Sequence, residues 1–283
     1  MTAADDHAAS PPRVVVGYDN SEPSERALDR AADEAALRGA ALEILCGWPW
    51  ELLPPASETD RSTLFQRSRR LVDRAADRAG ERHPGLSVIP SMTSEAAADA
   101  LVRCGRSAAL TVVGTRGHGG FAGLLLGSVS LRVAALTRSP LLVVRGPVGH
   151  VRGQVLLGVE SDADTEAVSF AFEEAQRRGA ELRVLHAWEF SPDPDDVQRT
   201  AAAESLSRFA VSALREKYPE VAVRTDSEQG PAGRVLVRAS AEADLVVLAV
   251  HRRKHRIGMQ LGPVTHTVLH HADCPVVLVP GDH

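Results

Sequence analysis

The chain has 283 residues, 44% hydrophobic and 24% charged, which suits a globular protein and, at roughly one to two hundred residues per domain, two domains. Its net charge of −5 argues against a molecule built for nucleic acid or an anionic membrane surface. Of its 32 basic residues only Lys217 and Lys254 are lysine, and neither follows a glycine, so a phosphate loop ending in Gly-Lys-Ser/Thr is excluded.

Residues 1–12 hold two aspartates and end in Ser10-Pro11-Pro12, without a basic and apolar leader, and read as a flexible tail. Val14–Gly17 is a short apolar run, as in a strand covered on both faces. Ser21 is placed to cap a helix with Pro23 in its first turn, and Leu28, Ala31, Ala32, Ala35 and Ala36 fall on one face of it. Gly39 is placed to end that helix in a left-handed conformation. Further strands are expected at Leu42–Cys46, Leu86–Pro90, Leu110–Val113 and Leu141–Val144, with helices over 60–82, 94–106 and near Val129–Leu136. Four β-α units and a closing strand imply an α/β fold, a parallel sheet with helices on both faces. Ligands of such sheets sit beyond the C-terminal strand ends, at the topological switch point.

The second half repeats the first. Val14–Asp19 matches Val155–Glu160 at an offset of 141, Arg38-Gly39-Ala40 matches Arg178-Gly179-Ala180 at 140, and Trp48 matches Trp188 at 140. Leu110–Val113 matches Leu245–Leu248, Gly127 matches Gly262 and Pro140 matches Pro275, all at 135. One domain has been duplicated, and the period is too long for a solenoid. The expected division is a tail over 1–12, a first domain over 13–147, a Gly/Pro-punctuated linker over 148–153 and a second domain over 154–283. The three cysteines form no Cys-x-x-Cys pair and imply no disulfide framework; with no apolar run approaching a membrane span, a cytoplasmic protein is expected.

After the strand Leu110–Val113 comes Gly114-Thr115-Arg116-Gly117, and nine residues later Gly127-Ser128-Val129. Glycines let backbone amides approach phosphate oxygens, and Gly127-Ser128 opens a helix whose free amides and positive dipole end favour an anion. Backbone nitrogens and the Ser128 hydroxyl can then hold phosphates without a lysine. Gly119, Gly120 and Gly123 make the intervening loop supple.

The Gly-x2-Gly-x9-Gly-Ser spacing, with the opening Val14-Val15-Val16-Gly17-Tyr18-Asp19-Asn20-Ser21, resembles the universal stress proteins, specifically their ATP-binding branch in a tandem two-domain form. The resemblance covers nearly the whole chain. It implies two tandem Rossmann-like domains, each a five-stranded parallel sheet of order 3-2-1-4-5. It also implies ATP, with Mg²⁺, as the ligand of the first domain. Asp19, following Gly17 at the end of the first strand, would lie by ribose and phosphates and could hold a hydrated Mg²⁺; Gly47 would offer backbone to adenine; Val113, Gly114, Gly117, Gly127, Ser128 and Val129 would surround ribose and phosphates. An aspartate in that place also qualifies as a turn or capping residue.

The second copy departs from the motif. Gly114 maps to Ala249, Gly117 to Arg252, Ser128 to Pro263 and Asp19 to Glu160. Proline deletes an amide donor and the hydroxyl, so one nucleotide per chain is expected. His251–Arg256 is a basic loop, read as solvated rather than as an anion or nucleic-acid contact. His266 and His270 lie one turn apart near Cys274, where a metal site could be drawn, though only Asp273 is at hand to complete it. Trp48 and Trp50 are read as packing near the nucleotide mouth.

The expected function is nucleotide-dependent regulation in a stress response, through a protein partner and a homodimer, or an intrachain pseudo-dimer, formed by the last strands Leu141–Val144 and Val276–Val279. The alternatives are a slow ATPase, with His118 the nearest base, or a ligand-free partner-binding module. Tyr18-Asp19-Asn20-Ser21 lacks the Ser-Gly-Gly-x-Asp-Ser loop of adenylating relatives of this fold.

Overall fold

A computed structural model of the chain describes residues 12–47, 58–117, 126–146, 151–160, 164–189, 211–250 and 261–281, with the side chains of 58–61 excepted. Residues 1–11, Trp48, Trp50, His118, the loop glycines 119, 120 and 123, linker residues 148–150 and the basic cluster His251–Arg256 lie outside the described residues.

The first half runs β1 (Arg13–Gly17), α1 (Glu22–Arg38), β2 (Ala41–Gly47), α2 (Glu58–Arg82), β3 (Val88–Thr93), α3 (Ala97–Gly105), β4 (Leu110–Gly114), α4 (Ser128–Leu136) and β5 (Leu141–Val144). The second repeats it as β6 (Gln154–Val159), α5 (Thr165–Arg178), β7 (Glu181–Trp188), helical residues 211–217 (α6), β8 (Val223–Gln229), α7 (Ala232–Ser240), β9 (Leu245–Val250), α8 (Pro263–His271) and β10 (Val276–Pro280).

The strands form one ten-stranded sheet of order β3-β2-β1-β4-β5-β10-β9-β6-β7-β8. Each half keeps the order 3-2-1-4-5 and parallel pairing within itself. The halves meet through the antiparallel pair β5·β10, with Leu142 opposite Val277. This intrachain pairing occupies both last strands, so neither offers a free edge to a second chain. Alternate β1 residues face opposite layers. Val14 and Val16 join a core under α1, α2 and α5, while Val15 joins one under α3, α4, α7 and α8. Both cores run unbroken across the two halves. Each Val or Leu buried there contributes about 1.5–3 kcal/mol.

The local signals explain the helices. The Ser21 side chain accepts from the Ser24 amide, and Pro23 stands in the first turn of α1. Gly39 and Gly179 end α1 and α5 at the same φ of 59°, a left-handed cap that glycine adopts without penalty.

Two expectations need correction. The third strand begins at Val88 rather than Leu86. Gly85 sits at φ 92° in a turn where the Leu86 amide donates to His83 O, so pairing with β2 starts later, at Leu42↔Val88. Pro90 is accommodated because β3 is an edge strand. On α1, Ala36 is exposed, and Glu34 is buried in its stead.

Glu34 is buried because it belongs to an ion cluster between the halves. Arg38 contacts both Glu34 and Glu174, and Arg178 contacts both in turn. Arg30 Nε lies 2.8 Å from Glu34 and Arg177 3.0 Å from Glu174. The cluster is symmetric, with Glu34-Arg38 in α1 mirrored by Glu174-Arg178 in α5. Burial alone would raise the Glu34 pKa. The guanidinium groups of Arg178, Arg30 and Arg38 outweigh burial and lower it from 4.5 to about 2.

Removing one partner of a buried pair leaves uncompensated charge. Glu34→Ala should therefore lower the unfolding free energy in urea by about 3–5 kcal/mol. Arg26→Ala, which breaks the exposed Arg26–Glu22 pair, should cost no more than about 1 kcal/mol. A folded pKa below the unfolded one gives stability that is complete above the unfolded value and lost as pH falls through the folded value. Parent stability should thus decline between about pH 4.5 and about 2 in part through Glu34. Glu34→Gln should flatten that part of the profile, and an unchanged acid slope would refute the assignment.

Candidate functional site

The strand order reverses direction at β1, which has β2 on one side and β4 on the other. Beyond the C-terminal ends of β1 and β4 lies a cavity of about 270 Å³. All nine residues singled out from the sequence line it: Gly17, Asp19, Gly47, Val113, Gly114, Gly117, Gly127, Ser128 and Val129. Tyr18, Ser24, Leu45, Ala97, Leu101, Arg116 and Ser130 line it as well.

The reasons for the glycines differ along the motif. A Cβ on Gly114 would stand 2.6 Å from Pro23 O, so this glycine lets the start of α1 pack against the end of β4. A Cβ on Gly117 would stand 2.2 Å from Asp19 Oδ2, so here the missing side chain brings the loop backbone against the aspartate. The Gly127 amide is not available to a ligand, since it donates to Thr115 O at 2.6 Å. Gly127 is instead the N-cap of α4, extended at φ −79° and ψ 159°, with no side-chain cap. The first residues of α4, Ser128, Val129 and Ser130, line the cavity, at a helix end whose opening amides lack intrahelical partners. Ser130 Oγ donates to Gly114 O at 2.7 Å and ties α4 to β4.

Asp19 has two duties. Its Oδ1 accepts from the Ser21 amide at 3.1 Å and from Ser21 Oγ at 2.6 Å, the turn role open to an aspartate there. Its Oδ2 is the oxygen turned toward Gly117. The Asp19 amide donates to Ser24 Oγ at 3.4 Å, and Asn20 takes a φ of 64°. Asp19 is the one carboxylate among the described residues lining the cavity, and no histidine joins it there. Among the described residues no three of His, Cys, Asp and Glu converge as a metal site; His266 and His270 stack with ring centroids 4.2 Å apart.

Tyr18 links the cavity to α2. Its hydroxyl donates to Glu25 Oε1 at 2.6 Å, and Glu25 pairs with Arg78 at 2.7 Å. Burial, and then the neighbouring Glu25, push the phenol above its ordinary range, so it stays a neutral donor. Tyr18 lies within the recognisable opening of the motif, and Ser130 directly beyond its end. Ala97 and Leu101 come from α3 and carry no local signal.

In the second half the equivalent cavity is about 150 Å³, lined among others by Gly158, Glu160, Asp164, Leu236, Ala249 and Thr265. The fully buried Asp164 accepts from the Glu160 amide at 2.7 Å, as Ser24 does from Asp19. Gly262 caps α8 and Pro263 is its first residue. Residue 252, opposite Gly117, lies outside the described residues.

The model of the universal stress protein family matches residues 12–145 and again 152–280. A universal stress protein of Mycolicibacterium smegmatis is 33% identical over 288 residues, covering 94% of this chain and 96% of that one. Among solved structures, a universal stress protein from Archaeoglobus fulgidus shares the fold with a TM-score of 0.70 at 16% identity, covering 96% of this chain and 98% of that one. A universal stress protein solved in complex with cAMP is 32% identical, covers 48% of this chain and 99% of its own, and has a TM-score of 0.39. With the family model matched twice along its length and a relative of this identity over nearly all of it, the chain belongs to the universal stress protein family.

Proposed function

We propose that the chain is an ATP-binding regulatory protein that holds one nucleotide, in its first half, and passes the bound state on to a protein partner. The observation that carries this reading is that the nine residues which the sequence motif and its family resemblance point to all line one cavity at the strand-order switch point. The residue chemistry fits a nucleotide. The opening amides of α4 and the Ser128 hydroxyl suit phosphate oxygens, and Gly117 leaves backbone rather than a side chain facing the site. Asp19 suits a ribose hydroxyl or a hydrated Mg²⁺, and the open Gly47 backbone at the end of β2 suits an adenine edge. When bound, Mg²⁺ would neutralise phosphate charge beside Asp19.

The second cavity fits the same ligand poorly. It is smaller, Pro263 brings neither amide nor hydroxyl, and Glu160 and the buried Asp164 set two carboxylates where phosphates would lie. The intrachain β5·β10 pair takes the place of a two-chain pairing through last strands, which makes the chain its own pseudo-dimer.

Nucleotide content tests the site. Protein purified and then denatured should release ATP at about one per chain. Gly117→Arg should weaken binding by about a hundredfold, and Asp19→Ala by about tenfold, each read by calorimetry. Either variant binding ATP as tightly as the parent would remove that residue from the site. Millimolar ATP should also raise the melting temperature of the parent and not of Gly117→Arg. With Mg²⁺-ATP, turnover should fall far below an ordinary enzyme's rate of about ten per second. Sustained turnover near that rate would favour an enzyme instead.

A further inference from the structure

A second and larger cleft, about 500 Å³, opens between the halves, walled by α1, α5 and residues 144–146 and 151–153. Seven arginines line it, and five of them have carboxylate partners. Arg145 and Arg152 are the exceptions among the described residues. Arg145 donates to the carbonyls of Leu269 and, at 2.9 Å, of His270, at the end of α8. Its Nε is buried without a hydrogen-bond partner. Arg152 Nη1 donates to Ala243 O at 3.1 Å. The nearby Asp244 carboxylate is taken up by backbone, accepting from the amides of Arg152, Gly153 and Gln154 at 2.6, 2.7 and 3.2 Å.

Carbonyl partners satisfy the geometry of a guanidinium without cancelling its charge. Two such groups therefore stand on the cleft without a carboxylate partner among the described residues, on a wall that carries seven arginines against the four carboxylates of Asp29, Asp33, Glu34 and Asp244. Burial lowers the Arg145 pKa, and the neighbouring Asp273 offsets part of that effect. Guanidinium forks bind phosphate oxygens in pairs. The volume exceeds what a lone ion needs, and Leu37 and Val151, 42% and 91% exposed, add apolar surface at the cleft.

We infer that this cleft is a second anion site, distinct from the β1–β4 cavity, that takes a small phosphate-bearing metabolite with an apolar portion between Arg145 and Arg152. A ligand there would touch both halves and so bias how they pack.

Pyrophosphate serves as the probe, titrated into the full chain and followed by hydrogen–deuterium exchange. Exchange should slow at residues 151–154 and at the end of α8. The midpoint should rise by about tenfold in Arg152→Gln, whose backbone contacts to Asp244 survive the change. Arg145→Lys keeps a charge that can cap α8 but loses the fork, and should also weaken binding. The inference is overturned if exchange at these residues is unmoved up to about 10 mM pyrophosphate. It is equally overturned if slowing is confined to the β1–β4 cavity, or if both variants bind as the parent does.

Discussion

The antiparallel pairing of β5 with β10 is the constraint on which the rest of the molecule depends. It joins two parallel sheets of opposite direction, so each core layer runs from one half into the other. It also lays α1 beside α5, which brings Glu34 and Arg38 against Glu174 and Arg178. Each half contributes one glutamate and two arginines, charges that are costly to desolvate at the boundary unless they are paired. Joined, they compensate one another across the boundary. Because the sheets run in opposite directions, the two switch points open at opposite edges of the common sheet.

How much of this was legible in the sequence varied with the range of the cause. The strand-helix alternation and the caps at Ser21, Gly39 and Gly179 depend on near neighbours, and the structure follows them closely. The third strand did not, because a turn at Gly85 delays pairing that depends on β2. Glu34 shows the limit most clearly. Periodicity favours an apolar Ala36 on the buried face, while Arg178, the partner from the other half that helps make a buried glutamate tolerable, lies 144 residues away. Within the cavity, the motif residues were recognisable because they fall in short runs at the ends of β1, β2 and β4 and at the start of α4. Ala97 and Leu101 were not, because α3 reaches the cavity only through the tertiary fold.

The motif glycines also carry different loads than spacing suggests. Gly114 is needed by the packing of α1 on β4, and the Gly127 amide closes the loop onto Thr115. Only at Gly117 does the missing side chain open onto the aspartate that faces the cavity. The structural glycines hold the framework in place and leave the opening amides of α4 and the Gly117 backbone to meet a ligand. A motif of this kind is therefore part fold and part site, and losing the site part need not cost the fold.

The second half shows that separation. It retains the packing framework, with Gly158 close against Leu236 and Leu248 as Gly17 is against Leu101. It retains an N-cap glycine at Gly262 and a buried hydroxyl at Thr265 in the place of Ser130. What has changed is the cavity chemistry. Where Ser24 accepts the Asp19 amide with a neutral hydroxyl, Asp164 accepts the Glu160 amide with a carboxylate buried in the wall of the cavity. The backbone contact survives, so the strand-to-helix turn is kept, while the wall at that position changes from a hydroxyl to a carboxylate. Pro263 then leaves the first position of α8 without an amide donor. The framework is kept in both halves, and the chemistry of the two cavities has diverged.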